Sequence, residues 1–159
     1  MVKKMITHEI ISVEWNKDYP KPEDVKKNLE NLPFITLTLE NKHNKYWNYY
    51  NVAEKQLNRQ NAELRKLTNI LRNYYSKKPL PDKVIEQYNL KPLQINYNKN
   101  EIDLMIKSSD SYCELETEIS STKSLTERIK EILGFISGWR YHQKDFITMF
   151  RITNGLTRE

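Results

Sequence analysis

Two long stretches of the chain carry apolar residues at helical spacing. From Leu125 to Phe150 one stripe runs Leu125, Ile129, Ile132, Ile136, Trp139, Gln143, Phe146 and Phe150, in steps that alternate four and three. That alternation is a heptad seam and predicts a helix with one narrow contact face. Ser124 and Glu127 have capping-box spacing near its start, with Ser121 and Thr122 as other caps, and Asn154-Gly155 has the form of a left-handed stop. The seam has two readings: packing against helices of the same chain, or packing against copies of itself. Isoleucine at both core positions and the lone polar Gln143 tilt towards copies. Gly134 and Gly138, four apart, read either as a notch for a second neighbour, as a closed ring needs, or as a mild bend.

The second stretch, roughly Leu39 to Tyr75, contains no proline or glycine and predicts one long helix. Its apolar stripe is Tyr46, Tyr50, Ala53, Leu57, Leu64, Leu67, Leu71 and Tyr75, with Tyr49 and Tyr74 at the edge. At 100° per residue, Lys55, Arg59, Lys66 and Lys77 fall within about 40° of one another, nearly opposite that stripe. Lys42, Lys45, Arg65, Arg72 and Lys78 flank this line, and Glu54 and Glu63 lie off it. Surface helices usually mix both signs in neighbouring turns to gain side-chain pairs. A line of one sign is therefore either solvated surface or a site for a polyanion.

The rest of the pattern is weaker. Pro20 and Pro22 break any early helix, Lys21 to Leu29 suits a short one, and Phe34 to Leu39 alternates like a strand without a partner. That last segment is read as an arm or a helix entry. Pro79, Pro81 and Pro92 punctuate a connector over 76–98, with a short helix from Asp82 to Tyr88. Ile102, Met105 and Ile106, then Leu115 and Ile119, give two short helical faces with a break near Ser108-Ser109. The segment they lie on is acidic. It reads as a solvated face, or as one that docks near a neighbour's basic helix. The division this suggests is an arm or short helix over 1–37, a basic helix with its connector over 38–98, and helices for assembly over 99–159.

Composition sharpens this picture. The chain has 159 residues, 38% hydrophobic and 30% charged, with three glycines, which suits an all-α protein of long amphipathic helices. A monomer of that composition has a thin core, and oligomerisation is the natural remedy. The net charge is +5, and it is uneven: residues 41–78 carry nine basic side chains against Glu54 and Glu63. A polyanion feels such a local concentration more than the total. Tyr74 and Tyr75 stand beside Lys77 and Lys78, where bases can stack on tyrosine while lysine meets phosphate. Tyr75 equally suits the core, and the role of Tyr74 stays open.

Chemistry for catalysis is missing. His8, His43 and His142 are isolated, Cys113 is alone, and three glycines supply no phosphate loop. No nucleophile has a base nearby in sequence, and no cofactor or metal is expected. No run suits a signal peptide or a membrane span, so an intracellular protein is expected.

At its two long helices the sequence resembles the UvsY family, recombination mediators of T-even-type phages. The resemblance rests on Lys45-Tyr46-Trp47, Leu64-Arg65-Lys66-Leu67 and Tyr74-Tyr75-Ser76. It continues through Glu101-Ile102 to Asp110, then Arg140-Tyr141, Lys144, Phe146-Ile147, Met149 and Asn154-Gly155. It covers about residues 38–155. Trp139 stands where the family tends to have arginine, and Gln143 where it tends to have an aliphatic residue. The resemblance implies a protein of the infected host's cytoplasm that forms a ring of six or seven copies. It further implies binding to single-stranded DNA, and help for a RecA-like recombinase in replacing the single-strand binding protein. In that reading Lys55, Arg59, Lys66 and Lys77, with Arg65, Arg72, Lys78 and Tyr74, meet DNA, and the heptad seam builds the ring. The rival reading is an oligomeric scaffold whose basic face is only solvated, or binds an acidic protein.

Overall fold

The computed structural model describes residues 6–19 and 32–153, with backbone alone at 32–36, 142–144, 146–147 and 149–153. Among these residues the chain is all α, in five helices: α1 His8–Asp18, α2 Leu32–Tyr75, α3 Asp82–Gln87, α4 Lys99–Lys107 and α5 Asp110–Thr153. None is long and apolar enough to cross a membrane. Described residues fall into two compact units, one formed by residues up to Glu54 with those from Ser124 onward, the other by Lys55–Lys123.

The first unit is built on three helices. Ile11 and Trp15 of α1, Leu39, Tyr46 and Ala53 of α2, and Leu125, Ile129, Ile132, Leu133 and Ile136 of α5 make one core. The α2 contributors are seven apart, so each returns to nearly the same side of the helix. Tyr46, Ala53 and Ile129 are fully buried, at 0% exposure. Burying a side chain as large as that of Ile129 stabilises by roughly 1.5–3 kcal/mol, and the methyl of Ala53 by less.

α1 lies upstream of Pro20, ahead of the short helix expected at Lys21 to Leu29. Thr7 caps it by accepting a hydrogen bond from the Ile10 amide, and Ile11 and Trp15, one turn apart, both point inward. The expected helix at Lys21 to Leu29 lies outside the described residues. The strand-like alternation of Phe34 to Leu39 resolves as α-helix. Leu37 is 57% exposed and Leu39 only 5%, which a period of two would not give. α2 therefore begins at Leu32, with Pro33 in the first turn where its missing amide costs nothing.

Polar contacts fix α1 on α2. Lys45 Nζ donates to Glu14 Oε2 at 2.5 Å and to Asp18 Oδ2 at 2.8 Å. Tyr46 donates its hydroxyl to Asp18 Oδ2 at 3.1 Å, and Lys42 Nζ donates to the Asp18 carbonyl at 2.7 Å. Hydrogen bonds from Lys45, then Lys17, hold the Glu14 carboxyl below the usual range. Burial disfavours charge on Lys45, but its bonds to Asp18 and Glu14 outweigh that and raise its pKa. Burial, then the Asp18 charge, pushes the Tyr46 phenol well up.

The second unit centres on Leu67 and Leu71 of α2 and Ile106 of α4, closed by Tyr75, Tyr88, Leu90, Ile102, Tyr112 and Leu115. Asn98 and Glu101 form a reciprocal capping box at the start of α4. The break near Ser108-Ser109 is present. The Ser109 carbonyl accepts from the amides of Tyr112 and Cys113, which opens α5 at Asp110. The last helix thus starts well before Ser121, Thr122 and Ser124, which lie inside it rather than capping it. Its stop at Asn154-Gly155 lies outside the described residues. A polar layer occupies one level of this unit: Gln60 is buried and donates to Glu118 Oε2, and Gln56 donates to Thr122 Oγ1, both at 3.4 Å.

The Lys45 cluster gives a pH signature. A carboxyl depressed on folding adds stability above its unfolded pKa, about 4.3 for glutamate, and loses it as pH falls through the folded value. A raised lysine loses its contribution only as pH climbs through its own folded value. Lys45→Met should therefore destabilise the protein at pH 7 by about 1 kcal/mol. In urea unfolding the gap to wild type should close below pH 4; a gap unchanged from pH 7 to pH 3 would mean the cluster adds nothing.

Candidate nucleic-acid interface

The inner side of α2 within the second unit is set by Gln60, Leu67 and Leu71, all buried. The mean direction of Lys55, Arg59 and Lys66 lies roughly 120° round the helix from theirs. These three, with Arg65, Lys77 and Lys78, are exposed. Among the described residues none of the six enters an ion pair. Glu63 is exposed at the edge of this face. With Glu63 the one carboxylate at its edge and no ion pair among the described residues, the face keeps most of its field for an outside polyanion.

Two nominated residues are already engaged. Arg72 pairs with Asp103 of α4 at 3.1 Å, with both side chains half exposed. The acidic segment thus meets a cation of its own chain, through Asp103. Tyr74 donates its hydroxyl to the Lys91 carbonyl and packs edge-on against Tyr75. Burial raises the pKa of both phenols. Tyr75 belongs to the core, and Tyr74 ties the connector to the end of α2. Arg72, Ser76, Lys99, Ile102 and Asp103 line a cavity of about 380 Å³ beside this end.

Lys77 departs from the helical line. α2 ends at Tyr75, so rotation at 100° per residue no longer predicts where Lys77 points. The Lys77 amide donates to the Tyr74 carbonyl and the Lys78 amide to the Asn73 carbonyl, both at 2.9 Å. This is a Schellman cap with Lys77 at its left-handed position, φ 54°. That position favours glycine, and a lysine there is strained by its Cβ. Asn89 takes the same role after α3, at φ 47°, where asparagine is better tolerated.

The heptad seam divides. Leu125, Ile129, Ile132 and Ile136 are buried in the core of the first unit, and Trp139 packs at its edge. This is the intrachain one of the two readings for that part of the helix. The side chains of Gln143, Phe146 and Phe150 lie outside the described residues. A Cβ added at Gly134 or Gly138 would meet nothing within 4 Å, so neither glycine is a notch for a neighbour within the chain. Among the described residues no cluster of His, Cys, Asp or Glu could hold a metal ion.

Comparison with known proteins supplies the family. The family profile described as "Recombination, repair and ssDNA binding protein UvsY" matches residues 21–156. The chain belongs to the UvsY family. Its membership makes it a recombination mediator that binds single-stranded DNA and is not an enzyme. The fold agrees with the crystal structure of the bacteriophage T4 recombination mediator protein UvsY. The TM-score is 0.73 at 15% identity, over 94% of this chain and 99% of that one. No curated protein sequence matches the chain.

In this UvsY-family protein the strain at Lys77 is testable. Lys77→Gly should stabilise the fold by about 0.5–1 kcal/mol by relieving the left-handed strain. If the side chain meets phosphate, the same change should weaken single-strand binding several-fold. Urea unfolding and fluorescence anisotropy measure the two effects. Lower stability in the glycine variant would contradict the strain; unchanged affinity would remove Lys77 from the interface.

Proposed function

We propose that the outward face of α2 is where this mediator holds single-stranded DNA, with Lys55, Arg59, Arg65 and Lys66 meeting phosphates and Lys77 and Lys78 extending the track. The observation that carries this is the set of six exposed cations without an ion-pair partner among the described residues. Arg72 contributes less, because Asp103 offsets its charge. Tyr74 acts through the connector it holds rather than by stacking on a base. Phosphate contacts carry no sequence information, so binding is insensitive to base order. It weakens steeply with salt as counterions leave, by up to about 0.7 log units per log of salt for each phosphate contact.

In this reading the protein is a homo-oligomer, six or seven copies in a ring, in the cytoplasm of the infected cell. With Leu125, Ile129, Ile132 and Ile136 turned into the protomer, copies meet through Trp139, the helix beyond it with Gln143, Phe146 and Phe150, and exposed apolar side chains such as Phe135 and Tyr141. Repeating a weak cationic track around a ring multiplies its avidity without new contacts. Held there, the strand is presented to a RecA-like recombinase while the single-strand binding protein is displaced.

Charge reversal tests the site. The double variant Arg59→Glu, Lys66→Glu should bind a labelled single strand at least tenfold more weakly and show a shallower salt slope. Its helix content and assembly, followed by circular dichroism and sedimentation, should be unchanged. Wild-type affinity in a folded double variant would make the face solvated surface and favour the scaffold reading of α2.

A further inference from the structure

The cations of α2 attract phosphate, and duplex DNA is as rich in phosphate as a single strand. Charge alone therefore gives no preference for the single strand. Such a preference comes from side chains that meet unstacked bases, and aromatic rings do this without regard to sequence. The exposed large aromatics among the described residues are Tyr19, Trp47, Phe135 and Tyr141.

Three of these are poorly placed to take a base. Tyr19 and Phe135 stack on each other at 5.6 Å, and Trp15 packs edge-on against both. Tyr141 is 68% exposed and sits in no aromatic pair among the described residues, so ordering it on a base costs side-chain entropy. Trp47 differs. It is 49% exposed, and it stacks on Tyr50 at 5.5 Å with 23° between the planes.

Tyr50 is itself held. Its hydroxyl donates to Glu54 Oε1 at 2.7 Å, and the Lys130 ammonium lies 5.4 Å from its ring centre. The indole is thus backed by a fixed ring while much of it meets solvent. One turn away on either side stand His43, Asn44 and Asn51, with no carboxylate. The nearest acids along α2, Glu40 and Glu54, each seven residues away, are engaged by Arg140 and by Tyr50.

We propose that Trp47 is a stacking platform for a nucleobase of single-stranded DNA, backed by Tyr50. The proposal rests on single-strand binding by this protein and adds the contact that distinguishes a strand from a duplex. The indole offers its π-face to a base that has left its own stack, and paired bases in a duplex offer none.

The full chain should be tested with three probes of equal length: an oligothymidylate, the same backbone made of abasic sites, and a duplex. Wild type should bind the oligothymidylate on the order of tenfold more tightly than the abasic strand. Tryptophan emission should be quenched by the oligothymidylate alone. Trp47→Phe should lose that quenching, because Trp15 is buried and Trp139 is packed against the core. Trp47→Ala should bind oligothymidylate and abasic strand alike, with duplex affinity unchanged. Quenching that persists in Trp47→Phe, or a preference for bases that survives in Trp47→Ala, would overturn the proposal. So would equal wild-type binding to the thymidylate and abasic strands, which leaves the phosphate face intact. If Trp47→Ala weakens all three probes equally, its fold is at fault and the Trp47→Phe quenching decides. Wild type that binds none of the probes would sink the single-strand reading together with this one.

Discussion

The burial of one side of α2 is the constraint on which the other features depend. Leu39, Tyr46 and Ala53 recur at sevens, as do Gln60 and Leu67, and all are buried. A helix held by one side must leave its opposite side to water. On this chain the side left to water, roughly 120° round from the buried one, carries Lys55, Arg59 and Lys66. Packing thus decides which charges are available before any ligand arrives. Lys45 and Arg72 lie on the same helix but face carboxylates, Glu14 and Asp18 for one and Asp103 for the other. The cations fall into two roles, those that hold the fold and those left open to a polyanion.

Two places give up stability in ways that bear on that division. Lys77 sits at a left-handed cap position where glycine would be unstrained. Gln60 sits on the inner side of α2, and its Oε1 is buried without a hydrogen-bond partner among the described residues. An orphaned buried acceptor costs about 1–3 kcal/mol, so an apolar residue there would pack at less cost. Its amide reaches Glu118, and a polar contact inside a helix pair sets register as much as it sets strength.

The sequence and the structure agree most where periodicity is long. Both long helices were legible from their stripes, and so was the break at Ser108-Ser109. The start of α5 was misplaced because Ser121, Thr122 and Ser124 look like caps, and only the upstream Ser109 turn shows that the helix has already begun. α1 escaped notice because its inward signal is only Ile11 and Trp15, too short a run to stand out by period. The exposed line of cations was readable, since helical geometry needs only sequence number. Its end at Lys77 was not, because rotation at 100° per residue stops where α2 stops. Whether a cation is paired also lay beyond the sequence: Asp103 is 31 positions from Arg72. The partner of the Leu125–Ile136 stripe was equally hidden, since a heptad pattern does not say whose helix fills the groove.

The claim that the open cations of α2 hold the strand is tested most directly by lysine footprinting. The protein would be treated with an amine-acetylating reagent with and without an excess of oligothymidylate, and each lysine read by mass spectrometry. The account predicts that DNA protects Lys55, Lys66, Lys77 and Lys78, and leaves Lys45, already held by Glu14 and Asp18, as it was. Protection that falls instead on Lys91, Lys99 or Lys123, with the α2 lysines still reactive, would contradict it.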